Sequence, residues 1–457
     1  MLALDCAGLA RAFREGECTP VHVLEALRAA VEAGEPINAF CHLDWPAALR
    51  AADESGQRHR SGASLGPLDG VPISIKDLTD VAGWPTRFGS LSMAEAKPAK
   101  ADAPVVERLR RAGAVLFGKT TTTEFGWTIR SDNPLTGLTR NPLDPSRSAG
   151  GSSSGAAAQV AAGWGPLALG SDAGGSVRVP ASFCGLVGFK PSFGAIPMPP
   201  SSAFTELAHL GVLTRSVADC RAAMRVLDGP DPRDPASTFP RLAADAPARR
   251  PRLGWTLFLG SELPPEDHVV AAFHSSLEQL RAAGYSLQEV DPRSRDCADA
   301  MWDTWRYRSL EAFHGWPEAQ RNKLSLALQQ LYREGEAMST AKLAQARTRL
   351  RKMAVDLGQV FNDIDILLTP TMPHSAPLAL DPAVAGRASA DNWLRHSGYA
   401  YPFNVTGQPA LSLPMGLCPQ GMPLGLQIAG RKYHDHAVLR LGAELETLLT
   451  PPPPTLR

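Results

Sequence analysis

Two glycine- and serine-rich loops, each held between compact apolar segments, do most to limit what this chain can build. The first is Ser148-Ala149-Gly150-Gly151-Ser152-Ser153-Ser154-Gly155; the second is Gly170-Ser171-Asp172-Ala173-Gly174-Gly175-Ser176-Val177-Arg178. Between them lie an Ala-rich helical stretch, Ala156 to Ala162, then Gly163 and the strand-like Pro166-Leu167-Ala168-Leu169. A Gly/Ser run alone usually reads as a flexible linker, but a linker is not enclosed by apolar segments on both sides. Helix, glycine, strand is an α/β cadence. It also occurs earlier, where Val105 to Arg111 has helical spacing, stops before Gly113 and leads into Ala114-Val115-Leu116-Phe117. The phosphate-loop pattern GxxxxGK[ST] is absent, neither loop carries GxGxxG after a strand, and no GxSxG elbow occurs.

The rest of the chain agrees with a large α/β enzyme. Residues 1 to about 60 read as helices, with a start signal at Thr19-Pro20. Val71-Pro72-Ile73-Ser74-Ile75, Arg252 to Leu257, Asp365 to Pro370, Ala410 to Pro414 and Leu424 to Gly430 read as strands, and about 434–449 as a helix. A Pro/Asp/Ala-rich stretch at about 230–250 reads as a long surface connection, and Pro451 to Pro454 cannot continue a helix. Residues 296–362 form a helical, aromatic-rich insert. The expected division is therefore an N-terminal helical segment 1–64, a main domain 65–450 carrying the insert, and a Pro-rich tail 451–457.

Composition excludes several classes. Lys plus Arg equals Asp plus Glu at 46 each, and no polybasic run appears, so a direct nucleic-acid interface lacks electrostatic support. No run of about eighteen apolar residues suggests a membrane span, and no basic-then-apolar leader opens the chain. Seven cysteines without CxxC spacing read as thiols in a reducing cytoplasm rather than a disulfide or zinc framework. Neither a metal nor a cofactor is expected.

The chemistry points to acyl transfer. Glycines in Asp172-Ala173-Gly174-Gly175-Ser176 let successive N–H groups converge, and a serine oxygen beside such donors is placed to attack a carbonyl. Serine needs a base. None of the eleven histidines lies near these loops in sequence, whereas Lys76 ends the β-prone run beginning at Val71. A lysine there is ordinarily a surface charge. To act as a base it must be neutral, which requires burial to lower its pKa by about three units, roughly 4 kcal/mol.

Together these residues resemble the amidase signature family. The likeness runs through Gly70 to Asp80, Trp84 to Ser90, Gly118 to Phe125, Asn141-Pro142, both Gly/Ser loops, Pro402 to Ala410 and Pro423 to Gly430. It implies a large twisted mixed β-sheet core flanked on both sides by α-helices. By resemblance, Ser176 is the nucleophile, Lys76 the base, and Ser152 the bridging serine that follows a cis peptide from Gly151. The N–H groups of Ala173, Gly174, Gly175 and Ser176 form the oxyanion hole. Ser153 hydrogen-bonds within the site, with Lys76 as its partner, and Asp172 and Arg178 brace the loop. Gly126, Trp127 and Ser152 are candidates to contact substrate, although Trp127 also fits plain core packing.

The implied activity is hydrolysis of a carboxylic or urea-type amide to acid and ammonia or amine, without cofactor. Two other readings compete with it. One is the glutaminase component of a tRNA-dependent amidotransferase, which resembles the chain less at Ser397, where those glutaminases carry Asp, and at Val179, where they carry Gln. The other is a non-catalytic scaffold protein, and peptide hydrolysis by the same residues is a further variant. The resemblance allows a homodimer or a small partner subunit. The insert is expected to overhang the entrance and shape selectivity through Trp302 and Trp305.

Overall fold

Apolar runs short enough to be strands assemble into one sheet, as residues buried on both faces must. The computed structural model describes residues 1–34, 37–198, 204–237, 250–292, 296–379 and 392–449. Among these, eleven strands form a single mixed sheet. They are β1 (Phe40–Leu43), β2 (Pro72–Lys76), β3 (Val115–Thr120), β4 (Leu167–Asp172), β5 (Val187–Lys190), β6 (His209–Thr214), β7 (Leu253–Trp255), β8 (Leu287–Glu289), β9 (Ile366–Pro370), β10 (Ala410–Leu417) and β11 (Pro423–Gly430). Their spatial order is β1-β3-β2-β4-β6-β5-β10-β11-β9-β7-β8. β2 runs parallel to both its neighbours, β3 and β4, whereas β4–β6, β6–β5, β5–β10 and β10–β11 are antiparallel.

Side-chain alternation along β2 decides where its lysine goes. Ile73 and Ile75 enter a large core with Leu9, Phe13, Val105, Leu109 and Val217. Ser74 points the other way and bonds Gln159 of the helix Ser154–Ala161. Lys76, two residues on, takes the same side, where the Ser152–Ser154 segment leads into that helix. The helix is built from small residues and is buried along almost its whole length, so it lies close against the sheet.

The N-terminal helices follow their signals. Cys6–Glu15 is capped by Asp5, which accepts from Gly8 N at 2.6 Å, and Pro20–Ala33 begins after Thr19. Strand β1, between two helices, was not expected from sequence. Nor were the central pair β5 and β6, or β8 on the far edge. The insert folds as helices Ala298–Phe313, Glu318–Arg321, Leu326–Glu336 and Thr340–Val360. These share a second core in which Trp302, Trp305, Phe313, Leu328 and Met353 meet Trp127, Ala173 and Tyr401. Most of the Pro/Asp/Ala-rich connection and the Pro451–Pro454 tail lie outside the described residues. Among the described residues, no helix is long and apolar enough to cross a membrane, and no group of three or more His, Cys, Asp or Glu is arranged to hold a metal ion.

Candidate active site

Lys76 occupies the last position of β2 and exposes none of its surface. Its Nζ lies 2.7 Å from Ser152 Oγ, 2.9 Å from Ser153 Oγ, 3.0 Å from Ser171 Oγ and 3.3 Å from Ser171 O. Among the described residues, no carboxylate bonds it. Burial therefore lowers its pKa to about 7, with the more distant Asp172 opposing the shift. Three of its four partners are hydroxyls, which either donate or accept. The amine can thus lose or gain a proton while the hydroxyls rotate to suit.

The first Gly/Ser loop supplies Ser152 and Ser153 from the turn before helix Ser154–Ala161, and the Gly151–Ser152 peptide is cis. The second leaves β4 at Asp172 and enters the helix Arg178–Cys184, with Ser176 on the turn between. The loops are joined directly, since Ser153 N donates to Ser176 O at 3.2 Å. Ser152 and Ser176, 1% and 4% exposed, line the same cavity. Ser171, which sequence reasoning passed over, also lines it and completes the lysine's shell. Its only signal was its place next to Asp172 in the loop.

Asp172 organises the second loop from beneath. Its carboxylate accepts from Arg178 Nε at 2.9 Å and Nη2 at 2.8 Å, from Asn404 Nδ2 at 2.9 Å, from Gly175 N at 2.8 Å and from Val177 N at 3.1 Å. Burial alone would raise its pKa, but Arg178 and the other donors hold it well below the usual carboxylate range. Arg178 also donates to Ala400 O, Gln427 Oε1 and Asn404 Oδ1 at 2.8, 2.8 and 2.7 Å. Neither Asn404 nor Gln427 was singled out from sequence, because they lie more than two hundred positions away and meet Arg178 only in the folded chain. Of the four N–H groups expected to form an oxyanion hole, one is engaged within the protein. The Gly175 N–H, on a backbone with φ of +122°, already bonds Asp172. Among the described residues, the N–H groups of Ala173, Gly174 and Ser176 have no protein acceptor.

The cavity beside Ser176 has a volume of about 220 Å³. Its wall includes Gly126 and Trp127, with Leu78, Phe88, Phe125 and Leu210. Gly126 has φ of +74°, and a Cβ there would come within 3.2 Å of Ser152 Oγ. Trp127 is both wall and core: it lines the cavity and stacks edgewise on Trp305 at 5.5 Å. Glu124 anchors the same loop to the insert. It accepts from Ser90 Oγ at 2.6 Å and from Ser325 N, at the start of helix Leu326–Glu336, at 3.1 Å. Burial raises its pKa.

Trp302 and Trp305 are the residues through which the insert is expected to shape selectivity. Neither lines the cavity; Ala312 is the insert residue that does. Trp302 lies under the Arg306 guanidinium at 5.6 Å, and Trp305 donates through Nε1 to Trp127 O at 3.0 Å. Both side chains belong to the second core, and the insert touches the cavity directly at Ala312 and supports its walls Trp127 and Phe204 through Trp305. Ser397 and Val179 are fully buried around Gly175 and do not line the cavity either.

Comparison with known proteins bears on this arrangement. The family model described as Amidase matches residues 22–439. An acylamidase of Rhodococcus erythropolis is 36% identical, covering 97% of this chain and 95% of that protein. A glutamyl-tRNA(Gln) amidotransferase component from Chloroflexus aggregans is 35% identical over 94% of this chain and 93% of its own. Among solved structures, a bacterial aryl acylamidase of the amidase signature enzymes superposes with a TM-score of 0.88 at 27% identity, covering 97% of this chain and 96% of its own.

Proposed function

Since the chain belongs to the amidase signature family and is a hydrolase of amide carbon–nitrogen bonds, we propose that Ser176, Ser152 and Lys76 carry out that hydrolysis. The observation that carries this reading is a buried lysine bonded to hydroxyls and a carbonyl, with a pKa of about 7. Neutral Lys76 accepts a proton from Ser152 as Ser152 takes the proton of Ser176, and Ser176 Oγ attacks the amide carbon. Negative charge builds on the carbonyl oxygen, and the N–H groups of Ala173, Gly174 and Ser176 are available to receive it. The proton returns by the same relay to the leaving nitrogen, which departs as ammonia or amine. Water, deprotonated by the same route, then attacks the acyl carbon and frees Ser176.

The acyl part of the substrate occupies the cavity walled by Leu78, Phe88, Phe125 and Trp127, so chains and rings with apolar bodies are favoured. Glutamine fits this wall less well. No Lys or Arg lines the cavity among the described residues to meet its carboxylate, and Ser397 stands where the amidotransferase type carries Asp. The relatedness to the amidotransferase component keeps that reading as the alternative to test. A cytoplasmic setting is consistent with seven unpaired cysteines. A homodimer or a small partner subunit is the arrangement that sedimentation would examine.

The test is a panel of alkyl and aryl amides, with glutamine and tRNA in separate arms. The wild-type chain should release acid and nitrogen product in equal amounts, and an acyl mass should be trapped on the Ser176 peptide. Ser176→Ala should lose roughly 10³-fold or more in kcat/KM. Turnover that survives in Ser176→Ala removes the proposed nucleophile, and ammonia released from glutamine alone favours the amidotransferase reading.

A further inference from the structure

Among the described residues, two carboxylic side chains belong to the lining of the cavity beside Ser176, and they differ in what they have left to give. Asp172 is saturated by Arg178, Asn404 and two backbone N–H groups. Asp80 is not. Its Oδ1 accepts from Thr86 Oγ1 at 2.6 Å and its main-chain oxygen accepts from Ala103 N at 3.0 Å. Among the described residues its Oδ2 accepts no hydrogen bond, and the residue is only half-buried. The cation nearest through Thr86 is Lys119, whose Nζ donates to Thr86 Oγ1 at 2.7 Å. That cation is already paired with Asp77 at 2.9 Å.

A carboxylate on the wall of a mostly apolar cavity attracts a cation more strongly than one in open water, because fewer waters screen it. Of the two, Asp172 has its oxygens filled by Arg178, Asn404 and backbone N–H groups. A positive group in the cavity therefore finds a free carboxylate oxygen at Asp80 and none at Asp172. We infer that Asp80 is a specificity-determining residue that makes this enzyme favour amides whose acyl chain carries an ammonium group. The inference rests on the amidase reading above, with the acyl chain in this cavity, and adds to it the charge that the chain should carry.

The experiment compares ω-amino alkanamides of increasing length with neutral alkanamides of the same length. In the wild type, one ω-amino member should exceed its neutral counterpart roughly ten-fold in kcat/KM, and high salt should shrink the advantage. Asp80→Asn should bring the ratio of cationic to neutral substrate close to one. Should Asp80→Asn fail to fold, the wild type alone decides. Alkylammonium ions should inhibit hydrolysis of a neutral amide roughly ten-fold more tightly than alkanols of equal length. Neutral amides turned over with no ammonium advantage at any length, or equal inhibition by alkylammonium and alkanol, overturns the inference and leaves the amidase reading standing. No amide hydrolysed at all overturns both.

Discussion

Lys76 and Lys119 stand on adjacent parallel strands, with Lys119 opposite Ile75 in the register, and neither exposes any surface. Their surroundings differ in kind. Lys119 pairs with the Asp77 carboxylate at 2.9 Å and donates to Pro85 O at 2.9 Å and Thr86 Oγ1 at 2.7 Å. Lys76 meets the hydroxyls of Ser152, Ser153 and Ser171 and the Ser171 carbonyl, with no carboxylate of the described residues in bonding range. A buried ammonium needs an opposite charge, and a buried amine needs partners that tolerate either protonation state. The same fold meets both needs in neighbouring strands. Burial alone therefore does not make a base; burial among reversible donors does.

The comparison breaks most easily by removing each amine. Lys76→Met should lower kcat/KM by roughly 10³-fold or more while the chain still folds. Lys119→Met should destabilise by roughly 3–5 kcal/mol, because it leaves Asp77 buried without its partner. In that variant the folded fraction should keep kcat/KM within about ten-fold of wild type. Denaturant titration and initial rates on the same preparations read both quantities. An inactive Lys119→Met that is fully stable would erase the distinction.

Protonation sharpens it. With Lys76 titrating at about 7, kcat/KM should rise by about ten-fold per pH unit on the acid side and level off above that value. The stability effect has the opposite origin. Folded Lys76 titrates at about 7 and an unfolded lysine at 10.5, so between these values the unfolded chain binds the extra proton and wild-type stability rises with pH. The penalty for burying the charge is complete below pH 7, where it is roughly 5 kcal/mol at most. Lys76→Met removes that penalty but also the lysine's hydrogen bonds. Its stability relative to wild type should therefore be highest at or below pH 7 and should decline towards 10.5. A difference that does not vary with pH would mean that Lys76 is not neutralised by folding.

Some of this was legible in the chain and some was not, for physical reasons. β2, β3 and β4 announce themselves as apolar runs, and the two loops as glycine and serine clusters between them. β5 and β6, which lie at the centre of the sheet, do not. Val187-Gly188-Phe189-Lys190 is four residues long with a glycine and a lysine. That lysine is buried, with its amine donating to Gln408 O at 2.6 Å and Pro191 O at 3.1 Å. His209-Leu210-Gly211-Val212-Leu213-Thr214 begins with a buried histidine whose Nδ1 lies 2.8 Å from Leu207 O. Within the site, Lys76, Ser152 and Ser176 stood out through their motifs. Ser171 was hidden among similar residues, and Asn404 and Gln427 were hidden by sequence distance. That the Gly175 N–H faces Asp172 depends on side-chain placement, which spacing does not encode.

The smallest expected effects concern the insert, where packing and selectivity can be separated. Trp305 is 1% exposed and lies 4.2 Å from Phe204, 5.5 Å from Trp127 and 5.3 Å from Trp393 between ring centroids. Trp305→Ala should therefore cost roughly 3–5 kcal/mol of stability, as large core truncations do, and lower the rates of all amides together. Ala312 has little side chain to lose and lines the cavity itself. Ala312→Leu should leave the melting temperature nearly unchanged and reduce kcat/KM for bulky acyl groups roughly three- to ten-fold relative to short ones. Thermal unfolding with rates on a short and a bulky amide reads all of this. If Trp305→Ala reorders the substrates at unchanged stability, the aromatic side chains of the insert select substrate directly rather than by supporting the cavity walls Trp127 and Phe204.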